Sequence, residues 1–174
     1  MDILIQKAKQ HDKESFALLM KQHEANMYKI ARAILKNDED IADAMQDTIL
    51  SCWEKIGSLK KTAYFKTWLI RILINKCNAI YNRRKQFISD ENQLETTVSE
   101  VGFTNVEWSI FLKYLDEKYR TVIALYYIEG FKVREIAQIL DISDSAVKTR
   151  LVTARKKMGK HYCFQKECVA YEKI

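Results

Sequence analysis

The sequence predicts an all-α protein made of two small helical domains joined by a flexible linker, the C-terminal domain being a helix-turn-helix. The chain of 174 residues contains no proline and only four glycines, whereas average proteins use about 5% proline and 7% glycine. Apolar residues recur at helical spacing in several segments of the chain. The length suits one moderate domain or two small ones, and the composition does not indicate sheets.

The first well-marked helix is acidic. Asn37 is its predicted N-cap, the acidic residues 38–40 complement the helix dipole in the first turn, and Gly57 lies just beyond its end. Its predicted buried stripe consists of Ile41, Ala44, Met45, Thr48, Ile49, Cys52, Trp53 and Ile56. The side chains left pointing outward are Asp43, Gln46, Asp47 and Glu54. In an isolated helix, these outward residues could simply be solubilising.

Charge is sharply divided between two neighbouring segments. Residues 37–54 include six acidic side chains and no basic one, and residues 60–89 include eight basic side chains and no acidic one. A solvated face with scattered charge would mix both signs, so this separation indicates one cationic and one anionic partner. The net charge of +6 also suits a polyanionic partner.

The basic segment is predicted to form a helix over about residues 67–85 that carries an unusual polar row. The row recurs at helical spacing and consists of Arg71, Asn75, Asn78, Asn82 and Lys85. Each asparagine costs a helix about half a kcal/mol relative to alanine. Three asparagines in one exposed row therefore indicate a hydrogen-bonding role.

Single-stranded nucleic acid is a ligand that suits this row. Amides can bind the edges of unstacked bases, and the neighbouring cations Arg83, Arg84 and Lys85 can hold phosphates. Stacking planes could come from Tyr64, Phe65, Trp68 and Tyr81. The alternative interpretation places Phe65 and Trp68 in the core.

A polar and acidic stretch, residues 86–105, loses apolar periodicity and is interpreted as the linker. It divides an N-terminal helical domain, residues 1–85, from a C-terminal one, residues 106–160. The remaining tail, residues 161–174, has no assigned role.

Residues 132–157 have the pattern of two short helices around a tight turn, which is a helix-turn-helix. Asp141 and Ile142 form the predicted turn, and Ser143 is a good N-cap for the second helix. The buried stripe of that helix is predicted to be Val147, Leu151, Ala154 and Met158. Its opposite side carries Ser145, Lys148, Thr149, Val152 and Lys156, flanked by Arg150, Arg155 and Lys157. Such a basic helix suits a DNA major groove, and an ordinary helical hairpin with a solvated face is the alternative.

Several segments agree in order and spacing with one protein family. The acidic helix DIADAMQDTILSCWEKI, the segment FKTWLIRILINKCNAIYNRRK, a variable linker, and LDEKYRTVIALYYIEGFKVREIAQILDISDSAVKTRLVTARKKM together closely resemble the extracytoplasmic-function (ECF) sigma factors of bacterial RNA polymerase. The resemblance covers nearly residues 10–160. It departs from the family at Asp141, a turn position usually taken by glycine, where a left-handed backbone is expected.

The resemblance implies a role for each surface. Asp43, Gln46 and Asp47 match the motif that docks on the basic coiled coil of the largest polymerase subunit. The row around Asn75 matches the part that captures the displaced strand of the minus-ten element and holds an extruded base. The residues expected there are Arg71, Asn75, Lys76, Asn78, Asn82, Arg83 and Arg84.

The resemblance also implies that the helix-turn-helix reads the minus-thirty-five duplex. The residues expected at this duplex are Ser145, Lys148, Thr149, Arg150, Arg155 and Lys156. Expected partners are therefore core RNA polymerase and promoter DNA, together with an anti-sigma factor, which commonly holds members of the family inactive.

Other functions are less well supported by the sequence. The main alternative is a stand-alone helix-turn-helix regulator whose N-terminal half is a sensor or dimerisation domain. An enzyme is not predicted, because the histidines lie far apart and no glycine-rich phosphate loop occurs. No cofactor is expected, and the spacing of His161, Cys163 and Cys168 fits no standard zinc pattern.

The compartment expected from the sequence is the cytoplasm. No apolar run reaches the length of about 18 residues that spans a membrane, so no membrane insertion is expected, and the N-terminus lacks the features of a signal peptide. Cys52 and Cys77 lie within helical patterns and are interpreted as reduced residues of the core or its flank.

Overall fold

A computed structural model describes the backbone of residues 2–88 and 115–171, and the side chains of residues 2–85 and 115–159. The chain divides into two compact units, residues 1–98 and 99–174. Every regular element of the described residues is helical, and no strand occurs among them. The prediction of an all-α protein with two helical domains is confirmed. Most of the expected linker, residues 86–105, lies outside the described residues.

Residues 2–88, the described part of the N-terminal unit, contain four α-helices. They are α1 Asp2–Lys9, α2 Lys13–Ile34, α3 Asp38–Lys55 and α4 Phe65–Ile88, and two 3-10 turns, Ile56–Ser58 and Thr62–Tyr64, connect α3 to α4. Asp12 caps α2, because its carboxylate accepts a hydrogen bond from the Ser15 backbone N–H at 2.9 Å. Hydrogen bonds from the Ser15 side chain and backbone lower the pKa of Asp12. Asn37 caps α3 as predicted, since its side-chain oxygen accepts from the Glu39 N–H at 2.8 Å.

The core of this unit lies where α2, α3 and α4 pack against one another. From α3 the buried side chains include Ile41, Ala44, Thr48 and Cys52, as predicted, whereas Met45, Ile49 and Trp53 are only partly buried. From α4 they include Phe65, Leu69, Ile70, Leu73, Ile74, Cys77 and Ile80. Phe65 therefore belongs to the core.

Two thiols are enclosed in this core. Cys52 and Cys77 are both buried and free. Burial raises the pKa of both thiols to about 12. They therefore stay protonated at neutral pH and serve as small apolar residues, in agreement with the sequence interpretation.

Three helices occur in the described part of the C-terminal unit, residues 115–171. They are α5 Glu117–Ile123, which continues as a π-helical turn over Ala124–Ile128, α6 Val133–Leu140, and α7 Asp144–Tyr171. The chain leaves the π-helical turn at Gly130 with φ 70°, a backbone region that favours glycine. α7 remains helical through Tyr171, so its backbone continues into the tail whose role the sequence leaves open.

The helix-turn-helix has its predicted local features. Asp141 adopts the left-handed conformation with φ 55° and ψ 47°, as expected at a position usually taken by glycine. The Ser143 hydroxyl accepts from the Ala146 N–H at 3.2 Å, which is an N-cap interaction. Val147, Leu151 and Ala154 of the predicted stripe are buried, whereas Met158 is only partly buried.

No described helix is both long and apolar enough to cross a membrane. Among the described residues there is also no group of three or more side chains that could hold a metal ion. The side chains of His161, Cys163 and Cys168 lie outside the described residues.

Candidate nucleic-acid interface

The outward face of α3 is acidic. It points to solvent because the apolar face of the same helix packs in the unit. Asp43, Gln46 and Asp47 are all exposed, while Ala44 and Thr48 are fully buried where α3 packs in the unit. No described residue forms a hydrogen bond or ion pair with the side chain of Asp43 or Gln46. The acidic face is therefore available to a partner outside the chain.

Leu50 is a residue of this face that the sequence interpretation did not select. It follows Gln46 and Asp47 by one helical turn and is 62% exposed. A leucine at the centre of an acidic face is the kind of side chain that an interface buries. The sequence indicates this placement, because Leu50 follows Asp43 by seven residues, about two helical turns, and therefore lies on the polar side of the helix.

The polar row of α4 lies on the surface as predicted, with one exception. Arg71, Asn75 and Asn82 are exposed, whereas Asn78 is only partly exposed. The side-chain oxygen of Asn78 is enclosed and has no hydrogen-bond partner among the described residues. The side chain of Asn75 makes no hydrogen bond within the described chain. The amide of Asn75 therefore keeps its full hydrogen-bonding capacity for a ligand.

The cations around the row differ in their surroundings. Arg84 donates from Nε to Oδ2 of Asp40 at 2.6 Å, and the Asp40 side chain is only 12% exposed. Nζ of Lys76 lies 3.9 Å from Oδ2 of Asp47 at the solvent-exposed edge between α3 and α4. Arg83 is exposed and has no partner among the described residues. The acidic and basic surfaces therefore meet along this edge.

The aromatic residues near the row are only partly available for stacking. Tyr64 is exposed, Trp68 and Tyr81 are partly buried, and Phe65 is in the core. The Trp68 ring lies 6.0 Å from the Phe65 ring, and this contact links it to the core. Tyr64 is therefore the most accessible stacking plane among these four.

The outer face of α7 is exposed along its length. Ser145, Lys148, Thr149 and Lys156 are all exposed, and Arg150 is partly exposed. The Thr149 hydroxyl donates to the Ser145 carbonyl at 2.9 Å, so its methyl group and lone pairs remain for a ligand. Lys148 and Lys156 have no partner among the described residues. This face presents charge and small polar groups at a spacing that suits a DNA groove.

Arg155 lies at the side of this face, next to α5. Its Nε donates to the Tyr127 hydroxyl at 2.7 Å. Two residues further on, Lys157 is paired with Asp116 at 2.8 Å, and its ammonium lies 4.8 Å from the centre of the Tyr119 ring. The hydrogen bond from Lys157 lowers the pKa of Asp116. Arg155 therefore has a neutral partner, and Lys157 a carboxylate.

Both units match models of one protein family. Residues 19–86 match sigma-70 region 2, and residues 111–158 match sigma-70 region 4. Together these matches span more than half of the chain, in the order that the sequence pattern predicted.

The chain belongs to the sigma-70 family. The region 2 match contains α3 and α4, and the region 4 match contains the helix-turn-helix. A family member with region 2 is a DNA-binding transcription initiation factor, and the alternative of a stand-alone regulator is not favoured.

Similar sigma factors identify the class. The chain is 26% identical to RNA polymerase sigma factor SigV of Bacillus subtilis, with 87% of this chain and 93% of SigV covered. It is 27% identical to ECF RNA polymerase sigma factor SigW of the same organism, with 90% and 93% covered. The protein is an ECF sigma factor, as the resemblance implied.

One solved structure of a sigma factor is also similar over nearly the whole chain. It is CnrH in complex with the cytosolic domain of CnrY, with a TM-score of 0.70 and 25% sequence identity over 92% of this chain and 95% of CnrH. CnrH is an RNA polymerase sigma factor of Cupriavidus metallidurans.

Proposed function

We propose that this ECF sigma factor divides promoter recognition among three surfaces. The acidic face of α3 binds core RNA polymerase, the polar row of α4 holds the melted minus-ten strand, and the outer face of α7 reads the minus-thirty-five duplex. Residues 1–85 and 106–160 would accordingly serve as the region 2 and region 4 domains. The observation that carries this proposal is the juxtaposition of an exposed acidic row and an exposed amide row on two packed helices.

The acidic face suits the basic coiled coil of the largest polymerase subunit. Asp43, Gln46 and Asp47 form one row, and Leu50 continues it with an apolar side chain. Opposite charges accelerate encounter and fix the register of an interface, while a desolvated leucine contributes affinity. This combination supports a specific protein interface better than a solubilising surface.

The row of α4 suits an unpaired strand. Extruding a base costs a few kcal/mol of stacking and pairing, so the protein must offer compensating contacts. Asn75 and Asn82 would supply amide groups, and Arg71, Lys76 and Arg83 would hold phosphates. Asn78 would contribute through its amide nitrogen, because its oxygen is enclosed. Arg84 would contribute through its terminal amino groups, because its Nε is bound to Asp40.

The outer face of α7 suits the edge of base pairs in a major groove. Lys148 and Thr149 would contact bases, Ser145 would lie at the start of the helix, and Arg150, Arg155 and Lys156 would hold phosphates. Lysine can donate to guanine O6 and N7, and the threonine methyl can contact that of thymine. This arrangement separates base readout from phosphate binding on the same helix.

An anti-sigma factor completes the proposed set of partners. CnrH is seen with the cytosolic domain of CnrY, and the fold is shared with RpoE of Bartonella quintana, which was solved with the anti-sigma factor NepR. These complexes support the same kind of control for this chain. We further propose that the protein has no catalytic activity of its own and works in the cytoplasm with polymerase.

The test of the polymerase face is a double charge reversal, Asp43→Lys with Asp47→Lys. It should weaken holoenzyme assembly at least about tenfold, because like charges across an interface cost several kcal/mol. Glu24→Lys is the matched control, since Glu24 is an exposed acid on α2 without a partner among the described residues. Circular dichroism establishes that both variants are folded. Wild-type affinity of the double variant for core polymerase would refute the assignment of this face.

A further inference from the structure

A tyrosine outside the helix-turn-helix contacts a cation of α7. Tyr127 lies on the π-helical turn that follows α5, and its side chain is 44% exposed. Its hydroxyl accepts the hydrogen bond from Nε of Arg155 at 2.7 Å, across 28 residues of sequence. The contact therefore joins two elements of the C-terminal unit at its surface.

The geometry constrains the whole guanidinium group. Its central carbon lies 5.7 Å from the ring centre of Tyr127 and 6.0 Å from that of Tyr126. The two rings are themselves 4.9 Å apart and nearly perpendicular, with an angle of 77°. Arg155 is thus held by one hydrogen bond and by two aromatic faces.

The partners of Arg155 leave its charge uncompensated. Tyr126 and Tyr127 are its only partners among the described residues, and both are neutral. Nε supplies only one of the five N–H donors of a guanidinium, so the terminal amino groups remain for a ligand. Lys157, by contrast, is paired with the carboxylate of Asp116. A fixed arginine without an acidic partner suits a phosphate oxygen.

We propose that Tyr127 is a positioning residue that holds Arg155 in place for a backbone phosphate of the minus-thirty-five duplex. The inference rests on the proposed role of α7 in binding this duplex. A free arginine must lose rotamer freedom when it binds, and an arginine already held by Tyr127 has lost much of that freedom before DNA arrives. Tyr127 thereby increases affinity without touching the DNA itself.

The experiment measures binding of holoenzyme to a minus-thirty-five duplex chosen by selection from random sequences, over a range of salt concentrations. Tyr127→Phe removes the hydroxyl and keeps the ring. It should weaken binding about two- to tenfold, the range expected when one long side chain must be ordered on binding. Tyr119→Phe is the matched control, since it removes a hydroxyl that has no hydrogen-bond partner among the described residues. Thermal unfolding of each purified sigma variant shows whether its fold is intact.

A double-mutant cycle distinguishes positioning from general support of the fold. Arg155→Ala should lower the salt slope by about one unit, the value for one lost phosphate contact. In the Arg155→Ala background, Tyr127→Phe should have no further effect, and the same holds with Arg155→Lys, which lacks the Nε donor. A structural role for Tyr127 would instead give an equal loss in both backgrounds.

The outcomes are separable. Wild-type affinity of Tyr127→Phe, or an undiminished loss in the Arg155→Ala background, overturns the positioning role and leaves the duplex contact of Arg155 standing. An unchanged salt slope for Arg155→Ala overturns both the phosphate contact of Arg155 and the inference that depends on it.

Discussion

The cations that are proposed to bind DNA have different partners in the two units. In the N-terminal unit, Arg84 and Lys76 of α4 lie against Asp40 and Asp47 of α3, at 2.6 Å and 3.9 Å. In the C-terminal unit, Arg155 is held by the neutral hydroxyl of Tyr127 at 2.7 Å. A carboxylate partner partly neutralises the charge of a cation. A neutral partner leaves the full charge available for a phosphate.

This difference corresponds to the two kinds of DNA that the units are proposed to bind. A duplex presents a dense array of phosphates, which uncompensated cations such as Lys148 and Lys156 can bind. A melted strand presents unstacked bases, for which the amide of Asn75 is better suited than charge. The paired cations of the N-terminal unit link α3 to α4, and base recognition by this unit is proposed to depend chiefly on the amides.

The largest effect is expected when the ion pair between Arg84 and Asp40 of the N-terminal unit is broken. Arg84→Ala should lower the free energy of unfolding by about 1–3 kcal/mol, because the largely buried carboxylate of Asp40 loses its partner. Arg83→Ala, at the exposed neighbouring position, should change it by less than about 0.5 kcal/mol. Urea denaturation followed by circular dichroism measures both values. Equal stabilities of the two variants would remove the distinction between paired and unpaired cations on α4.

A more selective effect, on DNA binding and not on the fold, is expected on the outer face of α7. Lys148→Ala should relax the preference at one or two base pairs and reduce discrimination by about 1–3 kcal/mol. Lys156→Ala should weaken binding to all sequences alike and lower the salt slope by about one unit. Holoenzyme binding to a panel of minus-thirty-five variants at several salt concentrations distinguishes them. Identical, sequence-independent losses from both variants would contradict base readout by this helix.

The smallest effect concerns the ion pair of the C-terminal unit. The pKa of Asp116 is lowered by the hydrogen bond from Lys157. A carboxyl group with a lowered pKa stabilises the fold above its unfolded pKa, and this contribution disappears as the pH falls through the folded value. Asp116→Asn should therefore be less stable than the wild type at neutral pH, and the difference should shrink below about pH 4. A difference that persists unchanged at acidic pH would show that charge is not its cause.

The local features of the fold were predictable from the sequence. Asn37, Ser143 and Asp141 act through hydrogen bonds and backbone angles within a few residues, so sequence rules describe them well. The separation of acidic and basic segments likewise identified α3 and α4, the two helices that carry the candidate site of the N-terminal unit.

Contacts between distant parts of the chain were not predictable in this way. Asp40 was expected to support the first turn of α3, yet it is buried against Arg84, 44 residues along the chain, because α3 packs on α4. The pairing of Arg155 with Tyr127 depends on how α7 packs on α5. Helical periodicity identifies which face is polar and does not identify the partner that this face meets.

The role of the α4 row in holding the melted strand is the central claim, and permanganate footprinting tests it most directly. The Asn75→Ala holoenzyme should bind the promoter and recognise the minus-thirty-five element normally, because the Asn75 side chain makes no hydrogen bond within the described chain. On duplex templates its minus-ten thymines should be less reactive than with wild type. A template with a pre-melted bubble should restore much of the reactivity, since the unpairing cost of a few kcal/mol is then absent. Normal reactivity on duplex templates by a variant combining Asn75→Ala and Asn78→Ala would contradict the claim.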